Sequence, residues 1–328
     1  MGREPGGVQD GLRQRRLTVT PVDTVGDAGD LDVRPVPVRH VGRWVSVAVI
    51  LGLVVWLVAA AAGSGAVEGA VVRRYLFNRS ILEGVRNTLV IAVLAQVAGI
   101  ALGVVFAVMR LAANPVLRVT SWVYVWLFRG TPVLVQLILW FSLPLVFSYM
   151  AIKVPFVDVY LYRARMVDFM TPFVAAFLGL ALNEGAYMAE IVRAGIISVD
   201  EGQVDAAKAL GMHPGLMLRR IVLPQAMRVI IPPTGNEFIS MLKTSSLASV
   251  VLYGELLRRT QDIYSTNLRT LDLLVVASIW YLALTSVASV GQYFLERRFA
   301  RGSTRELPET LLDRVRRNVT TVSRREHP

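Results

Sequence analysis

Apolar runs of membrane length alternate with short polar stretches along this chain. They fall at about Trp44 to Ala62 and then at 87–110, 120–148, 171–197, 229–253 and 271–295. Some twenty predominantly apolar residues suffice for a helix to cross the hydrocarbon of a bilayer. The pattern therefore predicts an all-α polytopic membrane protein with about six transmembrane helices. One insert, between the fourth and fifth runs, is polar and basic instead. Its Ser198-Val199-Asp200-Glu201 reads as a capping box that opens a short helix, and Gly211 suits the left-handed position that closes it. Pro214 can open a second short helix. Leu218, Ile221 and Val222 give that helix an apolar stripe, and Pro224 marks its end. Two short helices with a glycine elbow outside the bilayer would make a rigid knob for a soluble partner.

Composition sharpens the topology. The chain has 328 residues, is 54% hydrophobic and carries a formal net charge of +11. About 22 Lys and Arg fall on the side of the two tails and the polar insert, about 10 fall on the other side, and Arg129, Arg193 and Lys243 lie within spans. Basic loops stay in the cytoplasm, so the insert and both termini are expected there, in a multi-pass plasma-membrane protein. The excess charge is explained by orientation and contact with membrane lipid, not by nucleic acid. Residues 1–43, rich in Gly, Pro and charge, read as a disordered cytoplasmic tail, and 299–328 as a basic one. Cysteine is absent, and His40, His213 and His327 share no metal-binding spacing. No phosphate-cradling G-x-x-x-x-G-K-[ST] loop occurs. No catalytic residue, metal or cofactor is therefore expected on this chain, and any ATP with its Mg would be bound by a separate ATPase.

Polar side chains inside the spans need a cavity or a partner. Asn183, Tyr187, Glu190 and Ala194 recur at helical spacing and share one face, with Glu184 beside it and Arg193 one turn from Glu190. That face either lines a substrate path or braces the bundle through interhelical bonds. Arg193 reads as scaffold. Pro232-Pro233 should break or kink the fifth span early. Asn236, Glu237 and Lys243 follow, and Glu237 and Lys243 are too far apart on one helix to pair. Lys243-Thr244-Ser245 fits a pathway or a polar seam against a dimer mate equally well. Arg129-Gly130-Thr131-Pro132 reads as a packed kink, with Arg129 near the cytoplasmic interface.

The insert resembles a known element. Asp205-Ala206-Ala207, then Gly211, then Ile221-Val222-Leu223-Pro224 is similar to the "EAA" coupling loop of importer permeases in ATP-binding-cassette (ABC) transporters, with Asp205 where the family usually has Glu. Asn87-Thr88-Leu89, Phe128 to Pro132, Asn183 to Tyr187 with Glu190 and Arg193, Pro232-Pro233, Gly235-Asn236-Glu237, Lys243 to Ala248 and Glu255-Leu256 resemble the polar amino acid branch of those permeases. The resemblance implies an ABC type I importer permease fold over 84–298, with the coupling loop at 198–228. An extra N-terminal helix and outer loop would occupy 44–83. It implies that Asp205, Ala206, Ala207, Gly211, Leu223 and Pro224 couple to cytoplasmic ABC ATPase subunits, the two alanines being small so that the partner approaches closely. A second permease copy or a homologous permease and an extracytoplasmic solute-binding protein would complete the machine. Asn183, Glu184, Tyr187, Glu190, Asn236 and Glu237 are then candidates for the substrate path. Arg129, Thr131, Pro132, Arg193 and Lys243 are candidates for structure or gating. Glu184 falls where many relatives carry a small residue, which tilts the path toward cationic amino acids. An ion-gradient-coupled secondary carrier of polar amino acids is the alternative, and the full spacing of the coupling loop argues against it.

Overall fold

A computed structural model describes residues 41–63, 65–153 and 160–299. The tails read as disordered and basic lie almost wholly outside these residues. Helix α1, Val41–Gly63, belongs up to Ala59 to a first unit, and Val45–Trp56 within it is apolar with exposed side chains.

The second unit begins at Ala60 and carries α2, Gly69–Leu76, and the long α3, Arg79–Leu111. Asn78 caps α3 by accepting the Ser80 amide at 2.9 Å. The single span expected over 120–148 is two helices, α4 (Pro115–Gly130) and α5 (Val133–Phe141), bent by 101°. Pro132 has no amide hydrogen and holds an extended backbone, so the ladder stops there. Short α6 (Leu143–Val146) leads into strands β1 (Tyr149–Lys153) and β2 (Tyr160–Arg165), an antiparallel pair with Tyr149 opposite Arg165. This hairpin departs from the all-α expectation for the loop. Then come α7 (Met166–Phe169), α8 (Pro172–Ile197), α9 (Glu201–Ala209), α10 (Pro214–Met217), α11 (Leu223–Thr244), α12 (Leu256–Asn267) and α13 (Thr270–Phe299).

Length and apolarity alone mark α3 and α13 as membrane spans, and the bent pair α4–α5 as a third. Helices α8 and α11 carry the charged side chains, which dilutes their hydropathy. Their placement comes from packing. Helices α3 and α8 run against each other most extensively, through Gly99 and Gly103. A Cβ on Gly99 would lie 2.4 Å from Glu184 Cγ, and one on Gly103 2.4 Å from Met188 Cβ. Small residues four apart let helix backbones approach this closely where burial of apolar surface supplies no drive. Ile91, Ala95, Leu137, Leu180, Met241 and Leu242 form the central core among α3, α5, α8 and α11. Outward-facing Val97, Val105, Val108, Leu282 and Val287 are exposed and apolar, as suits a surface solvated by lipid tails.

Helix α11 runs uninterrupted through Pro232 and Pro233, which corrects the expected break. Side chains bond carbonyls beside the two prolines. Thr234 Oγ1 donates to the Ile230 carbonyl at 2.8 Å, and Gln292 Nε2 on α13 donates to the Pro232 carbonyl at 3.2 Å. The Asn87-Thr88 motif is a clamp of the same kind. Asn87 Nδ2 donates to the Gly254 carbonyl at 2.7 Å, and Thr88 Oγ1 accepts the Leu256 amide at 3.1 Å, so the start of α3 holds the start of α12.

Candidate functional site

A cavity of about 600 Å³ opens where the α4–α5 bend faces the middle of α8 and the second half of α11. Its charged lining is one guanidinium, Arg129, and two carboxyls, Glu184 and Glu237; Thr131, Asn183 and Tyr187 add polar groups. The bend is held open by side chains that take over its freed carbonyls. Thr131 Oγ1 donates to Leu127 O at 2.8 Å, and Asn183 Nδ2 donates to Phe128 O at 2.8 Å. Gln136 Nε2 donates to Phe128 O at 2.9 Å and to Thr131 Oγ1 at 2.8 Å. Asn183 thus both lines the cavity and braces its wall, so the two readings of this residue are not exclusive.

Glu184 is 4% exposed and receives one side-chain hydrogen bond, from Gln96 Nε2 at 3.0 Å. Gln96 is the sole polar residue between Thr88 and Arg110. That signal was available in the sequence, because a lone amide in an apolar span needs a reason. Arg129 lies against α8. Its Cζ lies 5.0 Å from the centroid of the Tyr187 ring, midway along α8. Glu190 lies below, with a 2.7 Å ion pair to Arg193 Nη2 on the same helix. Asn236 is exposed and does not line the cavity, and neither does Lys243. From the Lys243-Thr244-Ser245 stretch only Thr244 reaches it; Ser245 is buried and bonded to Leu242 O.

The 198–228 stretch forms two helices joined by an elbow. Gly211 has φ +68°, its amide donates to Lys208 O at 2.9 Å, and the Met212 amide donates to Ala207 O at 3.1 Å. That pair of bonds closes α9 in the way a left-handed residue permits. The capping box does not form: Asp200 is the capping position without a side-chain bond, and Ser198 Oγ donates back to Gly195 O at 2.8 Å. Pro214 opens α10, with His213 Nδ1 accepting the Gly215 amide at 3.2 Å. Pro224 does not end the second helix. A wider turn over Leu218–Val222, with the Leu223 amide on Leu218 O, carries α10 into α11. Pro224 sits in the first turn of α11, where no intrahelical partner is needed for its nitrogen. Ala206 is exposed but Ala207 is 1% exposed, so Ala207 is small for packing rather than for a partner. Val199, Val204, Met217 and Val222 seat the stretch on Ala107, Met188, Val192 and Ala226 at the ends of α3, α8 and α11. Asp205 pairs with Lys208 on the surface at 3.0 Å, and Leu210, Leu216, Leu218 and Leu223 stay exposed.

Residues 99–301 match the family described as the binding-protein-dependent transport system inner membrane component. The chain belongs to this family. The arginine transport system permease protein ArgU of Corynebacterium glutamicum is 46% identical over 272 residues, covering 83% of this permease and 84% of ArgU. The glutamine transport system permease protein GlnP of Escherichia coli is 32% identical, covering 66% and 92%. A crystal structure of an amino acid ABC transporter with histidines is 32% identical, with a TM-score of 0.58, over 68% of this chain and 95% of that one. The MetNI methionine transporter, at 20% identity and a TM-score of 0.53, shares the fold. This permease is thus the translocation subunit of an ABC transporter, with the type I importer fold.

Proposed function

We propose that this permease imports cationic amino acids, binding them in the central cavity and drawing the work from a separate ATPase through the 205–224 loop. One observation carries the substrate reading: the cavity's two carboxyls and one guanidinium mirror a dibasic amino acid, which offers two cations and one carboxylate. Arg129 meets the carboxylate with a planar fork, and Glu184 and Glu237 meet the cations. The 46% identity to an arginine permease supports the same class.

For coupling, the exposed Asp205, Ala206 and Leu210 lie on an elbow whose other face is packed into the bundle. A cytoplasmic ATPase gripping the elbow would move the ends of α3, α8 and α11 as a body. ATP binding would favour one state of the pore and hydrolysis the other, the work coming from differential affinity for the two. A second permease copy or homologue would complete the pore, and an extracytoplasmic binding protein would deliver the substrate. Five core spans with α1 added would leave both termini in the cytoplasm.

The test is a substrate-specificity measurement on the reconstituted complex. Glu184→Gln should weaken apparent affinity for L-arginine by about 2 kcal/mol, roughly thirtyfold, and change that for L-glutamine only a few-fold. Equal losses for both substrates would contradict a charge-reading role for Glu184.

A further inference from the structure

The Gln96 amide is only half used. Its Nε2 donates to Glu184 Oε1 at 3.0 Å from a side chain that is 5% exposed. Among the described residues its carbonyl oxygen is buried without a hydrogen-bond partner, and Glu184 Oε2 makes no hydrogen bond either. A buried carbonyl left unpaired is costly, and native folds keep few of them. A carboxylate only accepts hydrogen bonds, so it can use the N–H of this amide and never the oxygen. A carboxylic acid also donates. Protonated at Oε2, Glu184 would give its hydroxyl to the Gln96 carbonyl and keep the bond from Nε2, so both idle atoms are paired. Gly99, one turn along α3, has no side chain to hold the Glu184 stem away: a Cβ there would lie 2.4 Å from Glu184 Cγ. The charges around Glu184 fit the same state. Helix α3 presents no titratable side chain between Arg86 and Arg110, and α5 and the 245–251 turn present none. Helix α4 brings Arg129 and Tyr124, whose hydroxyl is engaged on Leu182 O at 2.7 Å. Helix α8 adds Tyr187, with Glu190 already paired to Arg193, and α11 adds Glu237, while Lys243 lies outside the cavity. With Glu184 neutral, the empty cavity holds one guanidinium and one carboxylate and is uncharged. With Glu184 ionised, it carries a net negative charge, which a site shielded from water tolerates only beside a cation.

We infer that Gln96 is a positioning residue that holds Glu184 as a neutral acid in the empty cavity and as a carboxylate in the filled one, so that each cationic amino acid displaces one proton on binding. This rests on the central cavity being the substrate site. In the exchange the O–H bond of Glu184 breaks, its electron pair stays on Oε2 and the proton passes to solvent. The substrate cation then pairs with the carboxylate, which keeps the hydrogen bond from Gln96 Nε2. A dibasic amino acid brings one net positive charge, so the filled cavity is again uncharged. An amino acid without net charge supplies no such balance and leaves the proton in place. The proton returns when the cavity empties, so the exchange sets selectivity and does no work on transport.

The permease with its ATPases, in lipid nanodiscs, is titrated with L-arginine by calorimetry in buffers of different ionisation heat, which counts the protons released. On the acid side of the Glu184 titration about one proton should leave per arginine bound, and the dissociation constant should rise about tenfold for each unit of falling pH. L-Citrulline, which has the shape of arginine without the side-chain charge, should release none. Glu184→Gln can pair with the Gln96 amide but has no proton to lose. In that variant arginine should bind more weakly, release none and show no slope between about pH 5 and about pH 8. Gln96→Leu removes the acceptor of the proton, so the weakening of arginine binding should set in at lower pH; onset at higher pH would mean that Gln96 serves the carboxylate alone, and would overturn its role. Release that persists in Glu184→Gln, or that citrulline matches, would overturn the exchange at Glu184. Arginine binding without proton release at any pH would overturn the exchange and leave the substrate reading standing. Failure of arginine to bind the assembled complex would overturn both.

Discussion

Two buried carboxyls show how the same side chain takes different roles. Glu255 is fully buried and accepts the Arg258 amide at 2.6 Å, the Leu257 amide at 2.8 Å and the Tyr281 hydroxyl at 2.7 Å. It caps α12. Glu184 accepts one amide and faces a cavity, which leaves its remaining valence for a ligand. Burial pushes the Glu255 carboxyl up to about 7, and its three hydrogen bonds pull the other way. A carboxyl that binds its proton more tightly when folded contributes fully below its ordinary 4.5, and that contribution is lost as pH rises through about 7. The thermal midpoint of the purified complex should therefore fall between about pH 5 and about pH 8, and Glu255→Gln should flatten that slope. An unchanged slope in the variant would assign the pH dependence elsewhere. The sequence displays Glu255-Leu256 and Asn87-Thr88 as motifs, yet not their use. Their partners lie about 170 positions apart, and only the packed topology brings them together.

At the level of elements, glycine and proline were legible in unequal measure. Gly211 was readable because only a residue without a side chain adopts φ +68° freely. Pro224, Pro232 and Pro233 misled, since a proline is tolerated wherever its missing amide has no partner to lose or where neighbours satisfy the freed carbonyl. Wide turn geometry did the first at Pro224, and α11 continues through Pro232 and Pro233 with Thr234 and Gln292 bonded to carbonyls beside them. The alanine pair separates the same way, one outward and one inward. Ala207→Asp would bury an unpaired charge at a position that is 1% exposed, costing roughly 3 kcal/mol or more. It should expose the elbow to limited proteolysis. Ala206→Trp should leave the elbow protected but depress substrate-stimulated ATP hydrolysis. The reverse pattern would mean that the ATPase grips a different face.

Across the whole molecule, the class was legible because lipid is a demanding solvent. Long apolar runs, a basic side and a spaced polar knob are readable without coordinates. The cavity was half legible. Helical periodicity grouped Asn183, Tyr187, Glu190 and Ala194 with Glu184 beside them, but Arg129 joins the cavity only because the chain bends by 101° at Pro132, and Glu237 only because α11 continues through its prolines. Asn236 was grouped with Glu237 by adjacency, and adjacent residues on a helix face different ways. The most direct measurement uses sealed proteoliposomes holding the permease, its ATPase and its binding protein, with ATP inside and no ion gradient. Labelled L-arginine should accumulate above its outside concentration, and stop doing so when Ala206→Trp breaks the grip on the elbow. Accumulation that follows an imposed proton or sodium gradient and ignores ATP would contradict the assignment.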